Sequence, residues 1–332
     1  MYFKKLGGIA LGTALAISAT TAQAKELAFA VFIPASSPTI QQVYQPWVDW
    51  FNEQVADDDV SIKMFAGGTL GRNPFTQADL VANGVADMTL TVPSYTPGVY
   101  PDFDIFELPG LARTTAEGSQ AVLELYEEGK LRGYQDYHVV ALYTSGGYML
   151  HTKEPLADFA AIKDRKLRVA GQIQTAVVDA LGGVPQNMSA LEMAENIDRG
   201  LIDGAVADAS VAKTFRVADV APHHYDAEMG VLVFAIILNK DVYEELPDSA
   251  KTALAESRQF IVDRQVASYT AAIEANMTAW TEDPDHNVVI PDAADRARIT
   301  EAVQPVVDQV GAAASDGLLD AYRAKLDDIR SR

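Results

Sequence analysis

The residue best suited to bind a ligand is an arginine near the end of a short predicted strand. Residues 166–174 read KLRVAGQIQ, and the first five alternate as in a β-strand, so that Leu167 and Val169 point one way and Arg168 the other. A helix is predicted from Gln172. A guanidinium held at such a junction suits a carboxylate, because a bidentate, charge-assisted pair supplies both energy and direction. The alternative is a structural arginine paired with a nearby acid.

Motifs for known catalytic and cofactor sites are missing from the sequence. There is no G-x-S-x-G, H-E-x-x-H or G-x-x-x-x-G-K-[ST] stretch, and no cofactor is predicted. The glycine-rich GGTLGR at 67–72 lacks the Lys-Ser/Thr ending of a phosphate loop, which favours a strand-to-helix turn. His223 and His224 are adjacent, so on a strand they face opposite ways and one metal cannot easily bind both. The acidic run 57–59 is interpreted as a solvated loop and not a calcium site.

Composition and the first residues indicate an exported, two-domain protein. The chain has 332 residues, a formal net charge of -20 and no cysteine. This charge disfavours nucleic acid and anionic membranes as partners, and the lack of cysteine excludes disulfides and thiolate sites. Residues 1–24 combine a basic start, a short apolar stretch and Ala22-Gln23-Ala24, which predicts a signal peptide cleaved after Ala24 and a bacterial periplasmic location. No later apolar run is long enough to span a bilayer.

The rest of the chain alternates between strand-like and helix-like segments, which predicts an α/β fold with parallel strands. Helix starts are predicted at Ser37-Pro38 and Asn73-Pro74, and residues 231–240 form the most hydrophobic strand. After Pro247 the helical pattern continues for over thirty residues, long enough to run along two lobes. Predicted strands lie at 27–33, 60–66, 87–92 and 138–144, and further helices at 115–134, 293–314 and 317–330.

One internal echo suggests that two similar lobes exist. NGVADMTLTV at 83–92 and RGLIDGAVAD at 199–208 each carry G-x-x-D after a predicted helix and before a predicted strand. Gly84 and Gly200 fit the residue just past a helix end, while Asp87 and Asp203 open the next strand. Chance similarity of two helix–strand turns is the other interpretation. If the lobes are real, the cleft between them is the usual place for a ligand.

The ordered set of motifs resembles the DctP-type solute receptors of TRAP transporters, the tripartite ATP-independent periplasmic systems. The resemblance covers nearly all of the mature chain and rests on GGTLGR, NGVADMTL, IFELPGL, DRKLRVAG, LGGVPQNMSALEMAENIDRGLIDG and VYEELP, in the family's order and spacing. It implies a two-lobe periplasmic-binding-protein fold with hinge strands and a long helix spanning both lobes. It also implies that the lobes close on a ligand, which is passed to an ion-gradient-driven membrane permease.

The resemblance assigns Arg168 to the ligand's carboxylate. Several positions where relatives carry polar or cationic contacts are aromatic or small here, which suggests a ligand with one carboxylate and an apolar or aromatic body, since a hydroxyl-rich sugar acid would lack partners. The other candidate contacts are Tyr148, Tyr95, Phe32, Ala207 with Asp208 after it, and Arg72 at the end of GGTLGR.

The sequence therefore predicts a receptor and not an enzyme. Lobe I is expected from 25–146 with 235–278, and lobe II from 147–234 with 279–332. Two alternatives stay open at this stage: an ABC-type periplasmic receptor, and a secreted enzyme that holds an acid with Arg168 and uses Asp208 as a general acid or base. The identity of the ligand, a metal beside it and the oligomeric state are also open.

Overall fold

A computed structural model describes residues 25–332 of the chain. The predicted signal peptide and its cleavage site lie outside the described residues. Within the described range, no helix combines the length and apolar character needed to cross a bilayer.

Two mixed β-sheets form the centres of two lobes. In chain order the strands are β1 (Lys25–Ala30), β2 (Val60–Phe65), β3 (Met88–Thr91), β4 (Tyr137–Thr144), β5 (Met149–Thr152), β6 (Lys166–Val169), β7 (Val184–Asn187), β8 (Gly204–Ala207), β9 (His223–Tyr225), β10 (Val233–Asn239) and β11 (Asn287–Val289). Lobe I holds the order β2-β1-β3-β10-β4, and lobe II holds β11-β9-β5-β8-β6-β7. The predicted α/β class and two-lobe fold are therefore confirmed.

The predicted parallel arrangement holds for most strands but is wrong for one strand in each sheet. β10 runs antiparallel to β3 and β4, and β5 runs antiparallel to β8 and β9, whereas β1, β2 and β3 are parallel neighbours. Both reversed strands directly follow a crossing between the lobes. The chain enters the second sheet as β5 straight after β4, and returns to the first sheet as β10 straight after β9. Parallel strands need a crossover connection, usually a helix, and neither crossing contains one.

The two crossing segments, 145–148 and 229–232, are hydrogen-bonded to each other and form the hinge. The Ser145 amide donates to the Leu232 carbonyl at 2.8 Å, and the Leu232 amide donates to Ser145 Oγ at 2.8 Å. The Tyr148 amide donates to the Gly230 carbonyl at 2.8 Å. Gly230 has φ +85°, and a Cβ there would lie 2.3 Å from the Glu107 carbonyl oxygen, so only glycine fits this crossing.

The internal echo is a structural repeat. Gly84 and Gly200 both adopt positive φ, at 67° and 70°, immediately after a helix. The Asp87 amide donates to the Ala28 carbonyl while its carboxylate accepts from the Ala28 amide at 2.8 Å. Asp203 does the same with the carbonyl and amide of Lys166, at 2.7 Å each. In each lobe this aspartate fixes the start of one strand against its parallel neighbour.

Helices cover both sheets and begin largely where the sequence predicts. They are α1 (Gln45–Gln54), α2 (Gln77–Ala82), α3 (Thr115–Glu127), α4 (Gly171–Ala180), α5 (Met193–Asp198), α6 (Ala209–Thr214), α7 (Lys240–Glu244), α8 (Asp248–Glu282), α9 (Ala293–Ala313) and α10 (Leu318–Ser331). Asn73 accepts from the Phe75 amide and Pro74 follows it, as predicted, opening a 3-10 turn that leads into α2. After Ser37 the first turn is a π-helical segment, Thr39–Tyr44, that continues into α1.

The long helix α8 spans 35 residues and contacts elements of both lobes. Its first half packs on lobe I, where Trp47 Nε1 donates to Ser257 Oγ at 2.8 Å. Its second half reaches lobe II, where Asn276 Nδ2 donates to the Ala209 carbonyl at 3.0 Å.

The predicted boundary that places all of 279–332 in lobe II does not fit α10. This helix packs on α3 of lobe I, where Lys325 forms ion pairs with Glu124 and Glu128 at 2.8 and 2.7 Å. The Tyr322 ring lies 4.7 Å from that of Phe106. The C-terminal residues therefore cross back to lobe I.

Candidate ligand-binding site

Arg168 lies at the carboxyl end of β6 with its side chain buried between the lobes. Only 1% of the residue is exposed. Its Nε donates to the Met188 carbonyl at 2.9 Å, one terminal nitrogen donates to the Val206 carbonyl at 3.3 Å, and the other donates to the hydroxyl of Tyr95 at 3.3 Å. The first two partners belong to lobe II and Tyr95 to lobe I, so the guanidinium bridges the cleft.

Within residues 25–332, no carboxylate oxygen lies within 4.0 Å of a guanidinium nitrogen of Arg168. Its three hydrogen bonds use three of the five N–H groups of a guanidinium, which leaves one on each terminal nitrogen, the number that a bidentate carboxylate needs. A buried cation without an internal counter-charge is costly unless something else neutralises it. The alternative of a structural arginine paired with an acid is not what the structure shows.

Two buried acids lie in the same region, and their environment opposes ionisation. Burial raises the pKa of Asp208 to about 7, although amide hydrogen bonds from the start of α6 act in the other direction. Burial and the charge of Asp104 raise the pKa of Glu107 well above its usual range. Neither carboxyl is therefore a ready counter-ion for Arg168.

Lobe I contributes an aromatic wall opposite Arg168. Tyr95 ends a 3-10 turn just beyond β3, and its ring centroid lies 4.7 Å from that of the half-buried Phe75. The neighbouring Ser94 explains why residue 171, within the stretch KLRVAGQIQ, is a glycine. Gly171 has φ +87°, and a Cβ there would lie 2.5 Å from the Ser94 carbonyl oxygen, so any other side chain would hold the lobes apart.

Tyr148 and Asp208 meet at the lobe II end of the hinge. Met149 pairs with Ala207 in the antiparallel β5–β8 ladder, which places the preceding Tyr148 opposite the following Asp208. Tyr148 is 2% exposed, and its hydroxyl forms no hydrogen bond within the described range. Burial raises the pKa of Tyr148, and the nearby Asp208 raises it further. Asp208 caps α6 through Oδ1, which accepts from the Val211 amide at 2.8 Å.

The remaining predicted contacts differ in their surroundings. Ala207 is the fully buried last residue of β8, and Phe32 is a buried residue two positions beyond β1, at the same edge as Tyr95. Arg72 is exposed, in the turn that follows β2. In that turn the amides of Gly67 and Gly68 donate to the carbonyls of Ile33 and Val31, both at 2.9 Å, so they are used by the chain itself, as the strand-to-helix interpretation predicts.

His224 is part of a hydrogen-bonded row of three imidazoles in lobe II. Its Nδ1 lies 2.7 Å from His151 Nδ1, its Nε2 lies 2.9 Å from His286 Nδ1, and His151 Nε2 donates to the Ala207 carbonyl at 3.1 Å. The Trp280 ring stacks on His224 at 4.1 Å. His223, as expected for the next residue of a strand, does not join the row. Across residues 25–332, no three His, Cys, Asp or Glu side chains are grouped so as to hold a metal ion.

Two side chains near the site escaped the sequence reasoning. Phe75 follows a recognisable helix start, but nothing local indicates that its ring meets Tyr95. Tyr269 lies on α8 and is 6% exposed. Burial is the main cause of its raised pKa, and the nearby Asp208 raises the pKa further. Because α8 contains many buried residues, the sequence does not distinguish a tyrosine near the site from one in the core.

The match to known families agrees with this geometry. Residues 29–313 match the model of the DctP family, described as bacterial extracellular solute-binding protein, family 7. The chain belongs to this family. It is a receptor of the TRAP type, whose members act outside the cytoplasm. A solute-binding protein of Sulfitobacter sp. strain NAS-14.1 is 28% identical over 342 residues, which covers 98% of this chain and 99% of that protein.

Solved structures of the same type share the fold. A TRAP solute-binding protein from a marine metagenome, specific for aromatic acids and bound to metahydroxyphenylacetate, superposes with a TM-score of 0.84 at 22% identity, covering 92% of this chain and 99% of that one. A TRAP solute-binding protein from Pseudomonas putida F1 with bound D-glucuronate gives 0.78 at 20% identity, covering 89% and 96%. At these identities the two structures establish the fold of this receptor.

Proposed function

We propose that this receptor binds a small monocarboxylate with an aromatic or apolar body, gripped by Arg168, and delivers it unchanged to a membrane permease. The observation that carries the proposal is the buried guanidinium of Arg168, which bridges the lobes without a carboxylate partner within residues 25–332. An anionic ligand would neutralise it inside a cleft that excludes water.

The walls of the cleft support the second half of the proposal. Tyr95, Phe75 and Tyr148 supply aromatic surface, and Phe32 lies at the same edge of the lobe I sheet. Relatives of this fold include the receptor for aromatic acids and the receptor for D-glucuronate, so the fold accommodates both kinds of acid. The aromatic surface here favours the first kind, because ring faces offer few partners to sugar hydroxyls.

The proposal includes export to the periplasm with cleavage after Ala24, and membership of the family favours a TRAP permease over an ABC system as partner. A thermal-shift screen of organic acids on the chain from Lys25 onward tests the ligand class, since a ligand at a hundred times its Kd adds about 2.7 kcal/mol of stability. Mass spectrometry of the best acid after prolonged incubation tests the receptor role. Recovery of unchanged acid is expected, and turnover would instead indicate an enzyme.

A further inference from the structure

One end of the site contains a buried oxygen that the protein does not use. Asp208 is fully buried, and although Oδ1 caps α6, Oδ2 has no hydrogen-bond partner within residues 25–332. Buried polar atoms in folded proteins are nearly always paired, because an unpaired one loses its hydrogen bonds to water and gains none in return. This oxygen is therefore free to accept a hydrogen bond from a ligand that reaches it.

The long helix brings a second hydroxyl to the same place. A Cβ built on Gly146 in the hinge would lie 3.6 Å from Asp208 Cβ and 2.1 Å from Ile273 Cδ1, so α8 passes beside Asp208. Tyr269 precedes Ile273 by four residues and shares its face of the helix. Tyr269 is 6% exposed, and its hydroxyl, like that of Tyr148, forms no hydrogen bond within the described range.

These groups suit a neutral hydroxyl. The protein offers one acceptor, Asp208 Oδ2, and two donors, the hydroxyls of Tyr148 and Tyr269. A ligand hydroxyl suits this set, because it can donate to the carboxyl oxygen and at the same time accept from a tyrosine O–H. A second carboxylate would be buried here without a cation of its own, because Arg168 is taken by the first, and an ammonium group would require the deeply buried carboxyl of Asp208 to stay ionised. Tyr148 stands opposite Asp208 at the end of the β5–β8 ladder, and Arg168 donates to the carbonyl of Val206, two residues before Asp208, so Tyr148 and Arg168 both lie at this end of β8.

We propose that the ligand is a hydroxycarboxylic acid, with its carboxylate on Arg168 and its hydroxyl between Asp208 and Tyr269. This proposal rests on the proposed function and narrows its ligand class. Selectivity for the hydroxyl follows, because an acid that lacks it leaves Asp208 Oδ2 buried and unpaired.

The test uses calorimetric titration with acids that differ by one hydroxyl: mandelate against phenylacetate, 3-hydroxybenzoate against benzoate, and lactate against propionate. Phenylglycine replaces the hydroxyl of mandelate with an ammonium group. In at least one pair we expect the hydroxylated acid to bind about tenfold to a hundredfold more tightly. In Asp208→Asn, which keeps the Oδ1 cap, and in Tyr269→Phe, the ratio should fall to about threefold or less, with little change for the acid that lacks the hydroxyl.

The matched control is Tyr322→Phe, because Tyr322 is a buried tyrosine on α10 in lobe I whose hydroxyl also lacks a partner in the described range. It should leave every affinity unchanged. Equal or tighter binding of the acids without a hydroxyl, an unchanged ratio in both site variants, or strongest binding of phenylglycine would overturn the hydroxyacid proposal while leaving the carboxylate role of Arg168 intact. If no acid binds, or if Arg168→Ala binds as well as the unmodified protein, the proposed function itself fails.

Discussion

Replacing Arg168 with alanine separates a ligand-binding arginine from a structural one. Arg168 is 1% exposed, and its hydrogen bonds within residues 25–332 go to two carbonyls and a phenol. In the ligand complex its removal would leave a desolvated carboxylate without its partner, which costs about 2–5 kcal/mol. At about 1.4 kcal/mol for each tenfold change, the Kd of the best acid from the thermal-shift screen should rise by about thirtyfold to several thousandfold.

The ligand-free protein should respond differently. The substitution removes donors from the Met188 and Val206 carbonyls, but it also removes a buried charge that no carboxylate balances within the described range, so the two effects oppose each other. We expect little change in the melting temperature without ligand. Arg168→Lys should recover only part of the affinity, because an ammonium group cannot form the bidentate pair.

Arg132 provides the contrasting control. Its guanidinium donates to both carboxylate oxygens of Asp102, at 3.0 and 2.6 Å, in lobe I. Burial alone would raise the pKa of Asp102, but hydrogen bonds from Arg132 and Ser315 bring it down to about 2. Arg132→Ala should therefore lower the melting temperature without ligand and leave the affinity unchanged. Calorimetric titration and ligand-free melting of both variants decide the matter: near-normal affinity in a destabilised Arg168→Ala would refute the role assigned here.

Three further predictions concern closure, the aromatic wall and acid stability. Small-angle scattering should show a smaller radius of gyration when a tight acid is bound, and a saturated protein of unchanged radius would contradict hinge closure; Gly171→Val, whose side chain would meet Ser94, should reduce this change and weaken binding. Aromatic or branched monocarboxylates should stabilise the protein more than gluconate or galactarate, and Tyr148→Ala should narrow the difference; a clear preference for sugar acids would count against the aromatic wall. Burial lowers the pKa of His151 and His224 well below 6.5, so the unfolded chain takes up their protons first. The two imidazoles therefore lower the free energy of unfolding as the pH drops from about 6.5 towards 4, while the raised pKa values of the buried Asp208 and Glu107 act in the opposite direction. Denaturant titrations between about pH 6.5 and 5 should show that His151→Gln loses less stability, relative to its value at about pH 7, than the unmodified protein does, whereas the same pH dependence in both proteins would show that the row of imidazoles does not contribute to it.

Local patterns in the sequence predicted much of the fold and singled out Arg168 as the first candidate for ligand binding. The strands, most helix starts and the long helix follow from periodicity and capping residues, which depend on neighbours a few positions away. The G-x-x-D echo predicted two turns that prove to share one hydrogen-bond pattern, through Asp87 and Asp203. Arg168 was recognisable because a cation at a strand end is a local feature. The chemistry of a guanidinium does not depend on the rest of the fold.

Tertiary structure decided what depends on distant partners. The reversed direction of β5 and β10 arises from crossings between lobes, which hydrophobic periodicity does not encode because parallel and antiparallel buried strands look alike in sequence. The same holds for α10, whose amphipathic pattern fits either lobe until its ion pairs with α3 select one. The contact between Arg168 and Tyr95 joins residues 73 positions apart, and Tyr269 approaches Asp208 only because α8 runs along both lobes. Those contacts, and with them the lack of a carboxylate beside Arg168 within residues 25–332, exist only once the chain has brought its lobes together.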